Sequence, residues 1–131
     1  MRVPWSDAGD GRMAPLLPVG FRRQGRMMLY TPLLLLDTGA DGTVVPRYNA
    51  KQLGFSEADL EPADCGVAGT TVRMYRPSNM AGTEVEINGE WLPLPSLMFA
   101  NQILHPLLGR DVIFKYFNLN MTGSDFELVR V

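Results

Sequence analysis

The sequence is poor in the residues that form disulfides or bind metals. It has one cysteine, Cys65, and one histidine, His105, among 131 residues. A single cysteine excludes an internal disulfide, and so few soft ligands argue against a metal site. We therefore expect neither a metal nor another cofactor, and we interpret Cys65 as an ordinary small residue.

Long apolar runs are also missing. No stretch approaches the ~18 apolar residues that a transmembrane helix needs. The first residues, MRVPWSDAGDGRM, contain no apolar segment of the kind found in signal peptides. Together with the shortage of cysteine, these absences predict a cytoplasmic protein with no membrane partner.

Charge of one sign does not dominate either. The chain has 12 basic and 14 acidic residues and a net charge of −2. This balance gives no electrostatic case for a nucleic-acid partner. The one local basic cluster consists of Arg22, Arg23 and Arg26, and we interpret it as a solvated face.

The sequence does have many residues that favour turns, with 13 glycines and 10 prolines spread along it. No long segment shows the 3.6-residue period of a helix, so short strands are predicted. TEVEINGEWLPL is the clearest hairpin, with Asn88-Gly89 at its turn, and GRDVIFKYF predicts one short C-terminal helix. We expect an all-β fold in a single domain over residues 1–131, with residues 1–15 as a candidate mobile N-terminal arm.

The most informative stretch is LLLLDTGADGTVVP, in which an acid, Asp37, ends the most apolar run of the chain. A phosphotransfer aspartate would need a second acid two positions later, but Asp41 is four positions later. A calcium loop starting at Asp37 would need an oxygen ligand at its third position and a glutamate at its twelfth, where this chain has Gly39 and Tyr48. Both alternatives are therefore weak.

The full segment LLLLDTGADGTVV resembles the active-site loop of the retroviral type of aspartic protease, the retropepsins. Two later segments match in the same order. GVAG (Gly66–Gly69) is similar to their Gly-rich flap, and LHPLLGRDVI (Leu104–Ile113) is similar to the segment that leads into their C-terminal helix. The resemblance implies a retropepsin-like acid protease fold, in which each chain forms a closed β-barrel-like half and homodimerisation completes the molecule. In retropepsins the two termini interleave in the dimer sheet.

The resemblance also implies roles for the Asp-Thr-Gly residues. Asp37 would be catalytic, the Thr38 hydroxyl would bond across to the partner loop, and Gly39 would allow close approach of the backbone. The chain has only one Asp-Thr-Gly, so one chain supplies half of a site. A two-fold homodimer is therefore predicted.

A peptide or protein substrate is expected to lie extended between this loop and the flap, and to add as a strand. The residues expected to contact it are Leu35, Ala40, Asp41, Val44, Gly66, Val67, Ala68, Gly69 and Leu107. Asp41 is also expected to form a structural ion pair with Arg110, whereas His105 is given no chemical role.

Two functions remain open at this point. The first is an aspartic endopeptidase in which Asp37 from each of two chains forms the catalytic dyad. The alternative is a dimerisation or peptide-binding module of the same fold with little or no proteolytic activity, because fold alone does not guarantee function. The intact Asp-Thr-Gly-Ala favours the enzyme, since a binding module has no need of the acid.

Overall fold

The computed structural model describes residues 1–67, 69–102 and 105–131, with Val67 described by its backbone. Among the predicted site residues, Ala68 and the side chain of Val67 lie outside this part, and so does Leu104 of the segment before the helix. Strands account for 51% of the chain and helices for 12%. The predicted all-β class is confirmed.

Sixteen short strands are present in the described part of the chain. They are β1 (Arg2–Pro4), β2 (Ser6–Asp7), β3 (Met13–Ala14), β4 (Leu16–Pro18), β5 (Gly20–Arg23), β6 (Arg26–Met27), β7 (Leu33–Leu36), β8 (Thr43–Pro46), β9 (Leu60–Val67), β10 (Thr70–Pro77), β11 (Thr83–Ile87), β12 (Glu90–Pro93), β13 (Leu97–Ala100), β14 (Leu107–Leu108), β15 (Phe117–Met121) and β16 (Asp125–Arg130). The helices are α1 (Tyr48–Gln52), a 3-10 turn (Glu57–Asp59) and α2 (Arg110–Tyr116).

The strands form four sheets. The largest has the order β4-β7-β14-β8-β13-β10-β9, and a second has the order β12-β11-β5-β6. The three strands β1, β16 and β15 form a third sheet, and β2 pairs with β3. Strand β14 lies between β7 and β8, parallel to the first and antiparallel to the second. This insertion brings the segment before α2 against the two strands that flank Asp37.

The core explains the apolar patterns of the sequence. In β7 the side chains of Leu34 and Leu36 are buried, while Leu35 is half-buried and Leu33 is exposed. In β11 the buried residues alternate with half-buried ones, as TEVEI predicts for a strand with one face in the core. Helix α2 is the predicted C-terminal helix, and it buries an apolar face consisting of Val112, Ile113 and Tyr116.

The basic cluster differs from the sequence-based interpretation. Arg22 donates from Nε to Glu84 at 2.8 Å and stacks on Trp91, so it is not simply solvated. Arg23 lies over the Phe55 ring, with 4.0 Å from its guanidinium carbon to the ring centroid.

Near the N-terminus, β1 pairs with β16 and β2 pairs with β3. The division of the chain into one domain with a mobile arm stays a prediction.

No helix in the described ranges is long and apolar enough to cross a membrane.

Candidate active site

Asp37 lies directly after β7, where a tight turn holds its carboxylate. Its own N–H donates to the carbonyl oxygen of Leu108 at 3.0 Å, which ties the turn to β14. The Gly39 N–H donates to Asp37 Oδ1 at 2.9 Å, and the Ala40 N–H donates to the Asp37 carbonyl oxygen at 3.2 Å. The carboxylate is therefore fixed by the backbone while its side chain stays half-buried.

The segment between β14 and α2 supports the same turn from the other side. The Arg110 N–H donates to the Ala40 carbonyl oxygen at 2.9 Å. Gly109 lies so close to Gly42 that a Cβ at position 109 would be 2.4 Å from the Gly42 carbonyl oxygen. Only glycine fits there without movement of the backbone, so the Gly-Arg-Asp motif and the Asp-Thr-Gly loop pack as one unit.

A third acid, Asp111, joins this unit to the rest of the sheet. Its two carboxylate oxygens accept hydrogen bonds from Thr43 Oγ1 and Ser96 Oγ, each at 3.0 Å. Asp111 is not among the predicted site residues, although an acid in the first turn of the predicted helix was a signal available in the sequence. Burial raises the pKa of the Asp111 carboxyl above its ordinary value, although the two hydroxyl bonds act in the opposite direction.

The raised pKa of Asp111 predicts that the effect of Asp111→Asn on the stability of the protein depends on pH. When the folded-state pKa exceeds the unfolded one, the contribution to stability is complete below about pH 4 and is lost as the pH rises through the folded-state value. Wild type should therefore lose stability relative to Asp111→Asn as the pH rises from about 4 through the folded-state pKa of Asp111. Melting temperatures of both proteins across this range measure the effect, and a constant difference would contradict it.

Asp41 and Arg110 form the expected ion pair, but it lies at the surface. The side chain of Asp41 is 91% exposed and that of Arg110 is 47% exposed. Such pairs contribute at most about 1 kcal/mol to stability. The contact therefore orients two charges beside the Asp37 turn and adds little to the stability of this chain.

A cavity of about 360 Å³ lies between the Asp37 turn and the β9-β10 hairpin. It is lined by Gly39, Ala40, Asp41, Gly42, Val44, Cys65, Gly66, Met74 and Leu107. Five of the predicted substrate contacts are thus together, whereas Leu35 and Gly69 are not among the described lining residues. Cys65 and Met74 are not among the predicted substrate contacts. Val72 and Met74 are two positions apart on β10, so the sequence indicated only that these two side chains share one face.

Known proteins match this chain in structure and not in sequence. No protein-family model matches the chain, and no curated protein sequence matches it. Among solved structures, the chain is similar to a retropepsin-like aspartic protease from Rickettsia conorii, with a TM-score of 0.64 and 14% identity over 98% of this chain and 88% of that one. The chain has a retropepsin-like fold.

Two further structures agree with this retropepsin-like fold. EIAV protease in complex with the inhibitor HBY-793 has a TM-score of 0.57 and 20% identity, over 78% of this chain and 86% of that one. The retroviral protease-like domain of Ddi1 from Leishmania major has a TM-score of 0.50 and 15% identity, over 88% of this chain and 95% of that one. At these identities the similarity establishes the fold.

The β9-β10 hairpin contains Gly66 and leads through Gly69 at its tip, two residues of the segment predicted to form a flap. The strands pair in register from Pro77 with Leu60 to Thr70 with Val67. Gly69 follows at the tip with φ of 81°, a left-handed conformation that favours glycine. Gly66 lies one pair further back and faces the cavity. The hairpin therefore supplies Cys65, Gly66 and Met74 to the cavity, and the turn after Asp37 supplies Gly39 and Ala40, whereas Asp37 itself is not among the described lining residues.

His105 lies apart from this chemistry. Its Nε2 donates to the Ala8 carbonyl oxygen at 2.6 Å, which links the segment before β14 to the β2-β3 hairpin. Within the described residues, no group of three or more His, Cys, Asp or Glu side chains could hold a metal ion.

Proposed function

We propose that this protein is an aspartic endopeptidase that acts as a homodimer, with Asp37 from each chain forming the catalytic dyad. One observation carries the proposal. A half-buried carboxylate, fixed by the Gly39 N–H, lies on a turn that forms one wall of a cavity, and a flap-like hairpin forms the other. The fold shared with retropepsin-like proteases supports it.

The proposed chemistry needs two carboxylates within a few ångströms of each other. Two carboxyl groups at so short a distance cannot both be ionised, because their negative charges would repel each other. The pair therefore holds one proton between them. The ionised member takes a proton from a water that attacks the peptide carbonyl, and the protonated member donates to the carbonyl oxygen. The Thr38 hydroxyl is exposed and makes no hydrogen bond within the described part of the chain, so it is available to a partner loop.

The substrate would be an extended peptide with an apolar side chain in the cavity. Val44, Met74 and Leu107 pack in one apolar cluster and supply apolar surface to the cavity. A peptide strand beside the flap could make main-chain hydrogen bonds, with side-chain selection by the cavity. The remaining predicted contacts, including Val67 and Ala68, are also proposed to touch the substrate.

A peptide-binding module with little turnover is the second candidate. The observation that favours it is that the apolar cavity forms within one chain, whereas the dyad does not. Such a module would bind an apolar peptide without cleaving it.

The rate of peptide hydrolysis at decreasing protein concentration distinguishes the homodimeric protease from the binding module. If activity needs two half-sites, the rate of hydrolysis of an apolar peptide should rise with the square of the protein concentration below the dimer dissociation constant. Above that constant it should rise linearly. Sedimentation on the same samples reports the oligomeric state. A monomer whose rate stays proportional to concentration would contradict the shared dyad, and binding of the peptide without hydrolysis would favour the module.

A further inference from the structure

The loop after β6 carries the most exposed large apolar side chain in the described part of the chain. Leu29 is 96% exposed, although its neighbour Met28 is buried in the core. A leucine in this position gives up the stabilisation that burial would provide, because its side chain stays in water. Single exposed apolar residues are common on proteins, so the meaning of Leu29 depends on the groups that surround it.

Two tyrosines join this loop to helix α1. The Asn49 amide donates to Tyr30 Oη at 2.9 Å, and the hydroxyls of Tyr30 and Tyr48 are 3.5 Å apart. Just beyond the other end of the helix, a Cβ at Gly54 would be 2.6 Å from Arg26 Cδ. The loop therefore lies along α1, and the two form one surface. We call this surface the α1 face, and it consists of Arg26, Leu29, Tyr30, Tyr48 and Lys51.

The charge of the α1 face is positive. Arg26 and Lys51 are both exposed, and neither forms an ion pair within the described part of the chain. The sequence has no acid in residues 11–36, which contain the loop, and none in residues 42–56, which contain α1. The two cations therefore have no acid of their own segments to pair with.

The next acids along the chain after α1 are engaged elsewhere. Glu57 pairs with Arg47 at 2.5 Å, and Asp59 accepts a hydrogen bond from the Ser56 N–H at 2.7 Å. The whole chain has a net charge of −2, so the positive charge of the α1 face is a local feature. Charge complementarity therefore favours an anionic partner at this face.

A cavity beside the α1 face combines positive charge with apolar surface. It has a volume of about 490 Å³, and Tyr48 and Lys51 are among its lining residues. Ala50, Phe55 and Leu60 add apolar groups to the same lining. A cation beside apolar surface fits a lipid, whose negative headgroup adjoins its acyl chains, better than it fits a fully polar anion.

The protruding Leu29 side chain favours a bilayer over a protein as the partner. A protein would have to offer a pocket that fits this side chain, whereas the interface of a bilayer accepts apolar side chains without a matching shape. Tyrosine rings are enriched at the headgroup level of membranes, where the ring is covered and the hydroxyl stays in water. Exposed Lys and Arg residues near an anionic leaflet add electrostatic attraction.

We propose that the α1 face binds the surface of a bilayer that contains anionic phospholipid. Leu29 enters the headgroup layer, the two tyrosine rings lie at its edge, and Arg26 and Lys51 contact lipid phosphates. Such a contact needs no spanning helix, so it departs from the sequence-based expectation of no membrane partner, which rested on the absence of long apolar runs. The inference does not rest on the proposed function, because no step of it involves Asp37.

Cosedimentation with vesicles tests the proposal. The probes are vesicles of phosphatidylcholine alone and vesicles of phosphatidylcholine mixed with phosphatidylserine. Wild type should bind the mixed vesicles about tenfold more tightly or better, and high salt should remove this preference. Leu29→Ser removes the side chain that inserts, and Lys51→Glu reverses one contact charge. Each should weaken binding to the mixed vesicles about tenfold, and melting temperatures verify that both variants are folded.

Two matched controls carry the same changes away from the α1 face. Met13→Ser removes an exposed apolar side chain from β3, and Lys115→Glu reverses an exposed cation of α2. Both should bind the mixed vesicles like wild type. Controls that weaken binding as much as Leu29→Ser and Lys51→Glu would overturn the assignment to this face, as would face variants that bind like wild type. A wild type that sediments with neither kind of vesicle, or equally with both, overturns the anionic bilayer as the partner.

Discussion

Asp37→Asn should reduce peptide hydrolysis by about 10³-fold or more while leaving the fold intact. Positioned proton transfer contributes about 10²–10⁴-fold, and the proposed dyad supplies both the proton donor and the proton acceptor. An asparagine has nearly the same volume, and its oxygen can still accept the Gly39 N–H that Asp37 Oδ1 accepts at 2.9 Å. The turn should therefore keep its shape. The measurements are kcat/KM with an apolar peptide and the melting temperature.

The matched control for this substitution is Asp10→Asn. Asp10 lies in the loop of the β2-β3 hairpin and is paired with Arg12. The same chemical change there should leave kcat/KM at the wild-type value. Retention of wild-type activity by Asp37→Asn would exclude an aspartic-protease mechanism, whereas loss of activity together with a large fall in melting temperature would show that the turn had not kept its shape.

Gly109→Ala should destabilise the protein by about 3 kcal/mol or more. The new Cβ would lie 2.4 Å from the carbonyl oxygen of Gly42, 2.6 Å from its carbonyl carbon and 2.9 Å from its nitrogen. All three are backbone atoms of the loop that joins the Asp37 turn to β8, so no side chain can move aside. The φ of Gly109 is −94°, which alanine adopts freely, and the cost is therefore steric. Denaturant unfolding measures the free energy.

Gly123→Ala provides the comparison for Gly109→Ala. A Cβ at position 123 would have no atom within 4 Å, and its φ lies outside the left-handed region. We expect a change in the free energy of unfolding within about 0.5 kcal/mol. Equal unfolding midpoints for the two alanine variants would mean that Gly109 and Gly42 are not in close contact in solution.

The features that could be predicted from the sequence are those encoded locally. The Asp-Thr-Gly turn after an apolar strand, the hairpin at Asn88-Gly89 and helix α2 each depend on residues a few positions apart. Local patterns were therefore sufficient to predict these three elements. The first of them places Asp37 directly after an apolar strand.

The features that could not be predicted depend on distant partners. Asp111 looked like an ordinary acid at the start of a helix, because its partner Thr43 is 68 positions away in the sequence. Arg22 looked solvated, because Trp91, on which it stacks, comes from another strand. The pairing of β1 with β16 joins the two ends of the chain, and nothing in Arg2–Pro4 indicates its partner.

The insertion of β14 between β7 and β8 has a consequence for the order in which the protein folds. Leu107 pairs with Leu35 and with Val44, although about 60 to 70 residues separate these strands in the chain. Contacts of such long sequence separation form slowly, because loop closure must precede any gain from pairing. The Asp37 turn lacks its bonds to Leu108 and Arg110 until β14 is in place. During synthesis on a ribosome, the Asp37 turn would therefore gain its supporting bonds only after residues 107–110 had emerged.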